Sequence, residues 1–154
     1  MSTALHPLTV LFAHVGATWT MVGVIWVMQL VHYPLFAQVG APTYSTYQAL
    51  HMQRITWIVG PVMLVELATA VLLVAGYGPA VPSSQAWTGL GLLALIWVST
   101  GLLQAPLHAL LTDGFNARWH TWLVRSNWIR TLAWTLRGLL ALWMLRPLLR
   151  LSSP

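Results

Sequence analysis

Four long apolar stretches, almost free of charge, constrain this chain more than any other feature. They cover residues of about 8–31, 55–75, 87–105 and 128–145. Hydrophobic residues make up 58% of the chain and charged residues only 6%, whereas about a quarter of a soluble domain is charged. About 20 apolar residues suffice to cross the core of a bilayer. The sequence therefore predicts an all-α integral membrane four-helix bundle, with residues 1–154 in a single transmembrane domain.

The boundaries of these spans are predicted from proline, glycine and serine. Pro34 and Pro106 predict the ends of the first and third spans, because proline disfavours helix at the residue before it. The segment 76–86 is rich in glycine, proline and serine and predicts a tight turn. Ser126 is predicted to cap the amino end of the fourth helix.

Four spans place the connections on opposite sides of the bundle. The two longer connections, about 33–50 and 107–125, share one side, called side A here, and the termini share the other, called side B. All seven cationic side chains are arginine, and the formal net charge is +5. Arginines spread over four spans indicate membrane topology and lipid contact rather than nucleic-acid binding. The predicted location is the bacterial inner membrane, with the orientation left open because the arginines do not favour either side.

Strongly polar residues are predicted to collect near side A. Each predicted helix contributes two of them, three or four residues apart and so on one helix face. The pairs are Gln29 and His32, His51 and Arg54, Gln104 and His108, and Asn127 and Arg130. The sequence thus predicts one site formed by all four helices.

A short internal repeat supports the idea of a shared site. The segment from Gln29 to Pro34-Leu35 in the first helical hairpin resembles Gln104-Ala105-Pro106-Leu107 in the second. In the same way, His51-x-x-Arg54 resembles Asn127-x-x-Arg130. A pseudo-two-fold axis along the membrane normal would bring Arg54 and Arg130 towards one cavity.

Three of the polar residues are histidines from three different helices. His32, His51 and His108 could hold copper, iron or zinc, because imidazole is a common ligand of these metals. Two of them could instead hold haem b, and the three could also serve as acid–base groups. Histidines hydrogen-bonded to backbone and water are the simpler alternative. The chain has no cysteine, which excludes iron–sulfur clusters, thiolate zinc sites and attached c-type haem.

The arginines need partners that the chain scarcely provides. A guanidinium keeps its charge, so Arg54 and Arg130 inside the membrane would need an anion or strong acceptors. The only acidic residues are Glu66 and Asp113. A quinone-like or anionic ligand, a haem propionate or a lipid phosphate could be the partner, and snorkelling to lipid headgroups is the alternative. Deeper in the membrane, Glu66 is predicted to form a structural ion pair with Arg137 or His14.

The side A motifs resemble those of a known family. Gln104-Ala105-Pro106-Leu107-His108 and Asn127-Trp128-Ile129-Arg130-Thr131 resemble two motifs of the anthrone-oxygenase-like family of small four-span membrane proteins. Pro34-Leu35 also resembles a proline in that family, whereas Gln104 and His108 stand where the family typically has asparagine. The resemblance implies a four-span fold with a cavity and, as for some family members, oxidation of polycyclic phenols to quinones.

Together these observations predict a membrane-embedded oxidoreductase that acts on a lipophilic aromatic or quinone-like substrate. The residues predicted to orient the substrate and stabilise oxyanion charge are Arg54, Arg130, Asn127, Gln29 and Gln104. Two alternatives remain open. One is a non-enzymatic accessory subunit of a larger respiratory or photosynthetic complex, or a homo-oligomer in the bilayer. The other is a carrier or channel whose path continues through His14, Glu66 and Arg137.

Overall fold

The computed structural model describes residues 6–78 and 81–151 of the chain, with side chains described as far as residue 148. These residues form four long helices and one short one, and they contain no strand. The helices are α1 (Pro7–Phe36), α2 (Ala41–Val74), α3 (Ser83–Thr112), α4 (Ala117–Met144) and the short α5 (Arg146–Leu151). The predicted all-α architecture is confirmed. Pro79 and Ala80 of the predicted 76–86 turn lie outside the described residues.

The four long helices pack as a bundle of two hairpins. Helix α1 packs against α2 and α4, and α3 packs against the same two helices. Consecutive helices run antiparallel because the connections between them are short. The connections 37–40 and 113–116 lie at side A, so this end of the bundle brings the ends of α1 and α3 beside the beginnings of α2 and α4.

Helices α1, α2 and α3 are long and apolar enough to cross a membrane, whereas α4 does not reach the same hydropathy. The difference arises because the inward face of α4 carries polar and charged side chains, including the buried residues Asn127, Arg130 and Arg137. Its outward face is apolar, with exposed side chains at Ile129, Leu132, Leu136, Leu139 and Trp143. The predicted apolar spans are therefore confirmed for three helices, and the span predicted at 128–145 is not.

The helices extend further towards side A than their apolar runs. Helix α2 begins at Ala41 rather than near residue 55, and α4 begins at Ala117 rather than near residue 128. With 34 residues, α2 is about 51 Å long at 1.5 Å per residue. Much of the predicted connection 33–50 is therefore helix, because only the length needed to cross a bilayer has to be apolar.

The predicted cap of α4 at Ser126 is wrong. Asn116 caps this helix instead, and its side-chain oxygen accepts hydrogen bonds from the backbone N–H groups of Arg118 and Trp119 at 3.0 and 3.1 Å. Ser126 lies within the helix, where its hydroxyl bonds to the Leu123 carbonyl. The polar sequence before residue 128 thus forms about three further turns of helix, residues 117–127.

Pro34 and Pro106 do not end their helices as predicted. Each proline follows a π-helical turn, at Met28–His32 in α1 and at Thr100–Gln104 in α3. Proline has no N–H, and its ring clashes with the carbonyl four residues earlier. The wider π turn accommodates both effects, so the helix continues beyond the proline.

The two π turns give the predicted internal repeat a structural counterpart. Each turn ends two residues before the proline, so His32 in the first hairpin occupies the position equivalent to Gln104 in the second. This register aligns Pro34-Leu35 with Pro106-Leu107, as in the predicted repeat, but it matches Gln104 with His32 instead of Gln29. The sequence match was short, and the position of the proline relative to the π turn sets the alignment.

A buried ion pair joins α2 to α4 near the middle of the bundle. Arg137 Nη2 lies 3.3 Å from Glu66 Oε1, and both side chains are almost fully buried. Trp134 Nε1 donates to Glu66 Oε2 at 3.0 Å, and Arg137 also donates to the Gly89 carbonyl. The predicted pairing of Glu66 with Arg137 is confirmed, whereas the side-chain partner of His14 is Thr69.

Replacing Glu66 with glutamine should destabilise the protein strongly. The change leaves the Arg137 charge buried without its counter-ion, and breaking such a pair costs about 3–5 kcal/mol. Thermal unfolding in detergent micelles measures the effect. The matched control is Asp113→Asn, which alters the other acidic residue of the chain, an exposed one at a helix end. Equal melting temperatures for the two variants would contradict a stabilising role of the pair.

Candidate functional site

A cavity of about 400 Å³ lies between the four long helices in the side A half of the bundle. Its walls away from side A are apolar and consist mainly of Met21, Ile25, Val59, Met63, Trp97 and Trp134. The strongly polar lining residues lie towards side A, between apolar ones such as Met28 and Met52, and include Tyr33, His51, Thr100, Gln104, His108 and Arg130. The cavity therefore suits a largely apolar molecule with a polar group at one end.

The mouth of the cavity faces sideways, between α2 and α3. Among the lining residues, Thr56 and Leu64 of α2 and Trp97 and Ala105 of α3 are exposed on the outer surface of the bundle. Leu64 is 60% exposed and Trp97 is 39% exposed. Because these are the outward faces of two apolar helices, a molecule would enter from the surroundings of the helices rather than from an end of the bundle.

Arg130 places a positive charge at the polar end of the cavity. Its side chain is buried, and its Nε donates to Asn127 Oδ1 at 2.9 Å. Nη2 donates to the Tyr33 hydroxyl at 3.2 Å, and Nη1 donates to the Thr100 hydroxyl at 3.4 Å. All three acceptors are neutral, and in the described part of the chain Arg130 forms no ion pair. The charge is solvated by dipoles but not neutralised.

Asn127 and Gln29 support Arg130 from behind. Asn127 Nδ2 donates to Gln29 Oε1 at 2.8 Å, and Gln29 Nε2 donates to the Val124 carbonyl at 3.2 Å. Neither residue lines the cavity. The side-chain oxygen of Asn127, Oδ1, is thereby held towards the guanidinium. The two amides therefore fix the position of Arg130 and do not contact a ligand.

Gln104 lines the cavity and is held by α3 and α4. Its Oε1 accepts from the Ser99 hydroxyl at 3.0 Å, and its Nε2 donates to the Ser126 hydroxyl at 3.2 Å. These two bonds tie the π turn of α3 to α4. Gln104 thus shapes the wall next to the Arg130 guanidinium.

The hydrogen bonds of His108 define which ring nitrogen carries its proton. Gln48 Nε2 lies 3.3 Å from the His108 carbonyl oxygen, an acceptor that requires the amide NH₂ on this side. The same nitrogen lies 2.9 Å from His108 Nδ1, which must therefore be the unprotonated acceptor. His108 Nε2 carries the proton and donates to the Tyr33 hydroxyl at 3.1 Å.

Tyr33 consequently accepts two hydrogen bonds and keeps its own proton free. His108 Nε2 and Arg130 Nη2 both donate to its hydroxyl oxygen. Hydrogen bonds accepted by a hydroxyl polarise its O–H group and make it a better donor. Because Tyr33 lines the cavity, its proton is available to the oxygen atom of a ligand.

Tyr33 and Gln48 were not among the predicted site residues. Both lie in the segment 33–50 that was predicted to be a connection. The spacing of Tyr44, Gln48 and His51, which are four and three residues apart, is the signal that would have placed Gln48 on the inward face of a longer α2.

The three predicted histidines do come together. His32 Nε2 and His51 Nδ1 are 3.0 Å apart. The rings of His51 and His108 are 5.6 Å apart between centroids. His51 and His108 line the cavity, whereas His32 lies behind His51 and is partly exposed.

Metal or haem ligation by these histidines stays a prediction. Both nitrogens of His108 are used by Gln48 and Tyr33, and one nitrogen each of His32 and His51 is used between them. Across residues 6–78 and 81–151, no three histidine, aspartate or glutamate side chains are grouped so that they could hold a metal ion. The arrangement favours acid–base roles for the imidazoles.

Arg54 does not join the site. Its side chain is exposed and does not line the cavity, unlike His51 and Ile55 of the same helix. One residue along a helix rotates the side chain by about 100°, which turns Arg54 away from the face that carries Ile55. The predicted convergence of Arg54 and Arg130 in one cavity is therefore wrong, although seven of the eight predicted residues do surround one site.

Comparison of the chain with models of protein families, with curated proteins and with solved structures finds no match. The resemblance to the anthrone-oxygenase-like family therefore stays a prediction. The residues that carry the resemblance include Asn127, Arg130 and Gln104, which meet around the polar end of the cavity.

The proton of His108 should be found on Nε2 by nitrogen-15 NMR of histidine-labelled protein. The signal is assigned through a His108→Asn variant. In Gln48→Leu, Nδ1 loses the donor that keeps it unprotonated. We therefore expect a mixture of the two tautomers. His6, outside the bundle, serves as the internal control that should not change. A proton on Nδ1 of the unmodified protein would contradict the assigned hydrogen-bond network.

Proposed function

We propose that this protein is a membrane-embedded oxidoreductase that binds a lipophilic aromatic or quinone-like substrate in the cavity. The observation that carries the proposal is an apolar cavity that ends at a buried arginine, which has no counter-ion among the residues that the structure describes. A ligand oxygen with negative charge or carbonyl character would provide the missing partner. The proposed location, in line with the family resemblance, is the bacterial inner membrane.

The distribution of charge over the bundle supports a membrane setting for all four helices. Helices α1, α2 and α3 have the length and composition of membrane spans. Helix α4 directs Arg130 and Arg137 inwards and exposes aliphatic side chains and Trp143. Charged side chains within a membrane face the interior of a bundle in this way. The sideways mouth would then open to lipid, from which a lipophilic substrate would enter.

The polar end of the cavity is suited to bind and polarise one oxygen atom. Tyr33 offers a free O–H proton there, and Arg130 offers positive charge. Such donors act strongly where water is excluded, because the effective dielectric constant is low. The volume of about 400 Å³ lies within the range of about 300–1,000 Å³ that is usual for small-molecule sites.

His51 is placed to remove a proton from the bound molecule. It lines the cavity, and its Nδ1 is engaged with His32, which leaves Nε2 for the substrate. Removal of a phenolic proton, or of a C–H proton next to a carbonyl group, would place negative charge on the oxygen held by Tyr33 and Arg130. The family resemblance supplies the reaction class, in which dioxygen accepts the electrons of this anion.

Binding of 1-naphthol should depend on Arg130. We expect Arg130→Gln to weaken binding about tenfold to a hundredfold, since a hydrogen bond to a charged group is worth about 1.5–3 kcal/mol. Binding of naphthalene, which has no oxygen, should change little. Both are measured by isothermal titration with protein in lipid nanodiscs. Arg54→Gln removes an exposed arginine outside the cavity and should leave both affinities unchanged.

Two results would speak against this binding mode. Equal loss of naphthalene and 1-naphthol binding would mean that Arg130→Gln damages the fold rather than the polar contact. An unchanged affinity for 1-naphthol would mean that Arg130 does not bind the oxygen. Arg130→Lys, which keeps the charge, should retain part of the difference between the two ligands.

Turnover should depend on His51. We expect purified protein in nanodiscs to consume dioxygen with 9-anthrol, and His51→Asn to slow this about 10²–10⁴-fold, as is usual for loss of a general base. An absorption spectrum and elemental analysis of the same sample test for haem and for copper, iron or zinc. Arg130-dependent binding without any dioxygen consumption would contradict the oxidoreductase and favour a binding or accessory role.

A further inference from the structure

The side A end of the cavity is closed by an aromatic cluster around Phe36. Phe36 is fully buried, and the rings of His32 and His51 lie 5.0 and 5.1 Å from it. Tyr33 and Tyr47 also pack against it, each at 5.5 Å. This plug separates the polar end of the cavity from the outside, so a proton released in the cavity has no open water path in this direction.

A proton taken from a ligand cannot remain in the cavity without cost. The deprotonated ligand would pair with Arg130, so an imidazolium left in the cavity would be the unpaired charge, and buried unpaired charge is strongly unfavourable. His108 offers no exit, because its Nδ1 contacts the amide of Gln48, which does not pass protons readily. Beyond it, the buried Gln48 Oε1 and Tyr44 hydroxyl have no hydrogen-bond partner among the described residues.

His51 and His32 provide a continuous connection through the plug. His51 lines the cavity, and its Nδ1 is 3.0 Å from Nε2 of His32. His32 lies four residues before the end of α1 and is partly exposed. An imidazole can accept a proton at one nitrogen and release another from its second nitrogen. Two imidazoles in series can therefore relay a proton while the rings themselves stay in place.

We propose that His32 is the proton-transfer partner of His51 and carries the substrate proton from the polar end of the cavity to the side A surface. This role rests on the proposed function, since it needs a proton donor bound in the cavity. The proton moves from the ligand to His51 Nε2, while the proton on His51 Nδ1 passes to His32 Nε2. His32 then releases its Nδ1 proton to water, and both rings are neutral at the end.

The surrounding groups favour this direction. The ionisable groups that face the pair are Tyr33 from α1, Tyr47 from α2, His108 from α3 and, through the Tyr33 hydroxyl, Arg130 from α4. Only Arg130 carries a permanent charge, and it lies on the cavity side. It stabilises the anion of the ligand, so the released proton returns less readily and moves on towards His32 and the surface.

The test follows the protonation of bound 1-naphthol after a laser-induced pH jump, because the naphthol and its anion emit at different wavelengths. With protein in nanodiscs, we expect His32→Phe and His32→Gln to slow the response about tenfold or more. The affinity for 1-naphthol should stay unchanged in both variants. A rate that does not vary with ligand concentration ensures that protonation does not occur by release and rebinding.

The glutamine variant separates proton transfer from support of His51. Glutamine can keep a hydrogen bond to His51 Nδ1, but it does not carry a proton onwards. An unchanged rate in His32→Gln would therefore overturn the proposal, and His6→Gln is the control that should not alter the rate. If the binding of 1-naphthol does not depend on Arg130, the proposed function fails, and the proton path that rests on it fails with it. Arg130-dependent binding with unchanged rates in both His32 variants would overturn the proton path alone.

Discussion

The side A half of the bundle depends on one buried charge, that of Arg130. A guanidinium cannot lose its proton, so burial without a carboxylate has to be offset by oriented dipoles. The side chain is 8% exposed and donates hydrogen bonds to the side-chain oxygen atoms of Asn127, Tyr33 and Thr100. These acceptors come from α4, α1 and α3, and Gln29 holds Asn127 in turn. The requirement to solvate this charge thus joins three helices and orients the polar end of the cavity.

The second buried arginine of α4, Arg137, differs from Arg130 because it has a counter-ion. Arg137 lies seven residues after Arg130, on nearly the same helix face, and is neutralised by Glu66. Glu66 in addition accepts from Trp134, whose ring lies 6.0 Å from the Arg130 guanidinium carbon. One helix therefore carries a closed ion pair that stabilises the bundle and an open charge that faces a cavity. Asp113, the only other carboxylic side chain of the sequence, is exposed, and among the described residues no carboxylate pairs with Arg130.

The prolines position the other polar groups around that charge. The π turn before Pro106 lets α3 continue beyond the proline, so that His108, two residues further on, stands on a helix, while His32 and Tyr33 lie at the end of the π turn of α1. Had α3 ended at Pro106, His108 would lie in a connection without a fixed direction. The His120 ring contributes as well, since its Nε2 lies 2.8 Å from the Tyr33 carbonyl and binds α4 to this part of α1.

The sequence by itself determined the helical class, the apolar runs and the gathering of polar residues at side A, and it left the partner of Glu66 open between Arg137 and His14. These follow from composition and from spacing along one chain, which local physics dictates. The tertiary structure alone decided that Arg130 faces inwards and Arg54 does not, because the rotation of each helix about its axis is set by packing against its neighbours. It also decided which nitrogen of each histidine remains free, since partners such as Gln48 and Tyr33 are distant in sequence and have to approach within hydrogen-bond distance. The beginnings of α2 and α4 were predicted too late, because only the length that crosses a bilayer has to be apolar and both helices begin in more polar sequence.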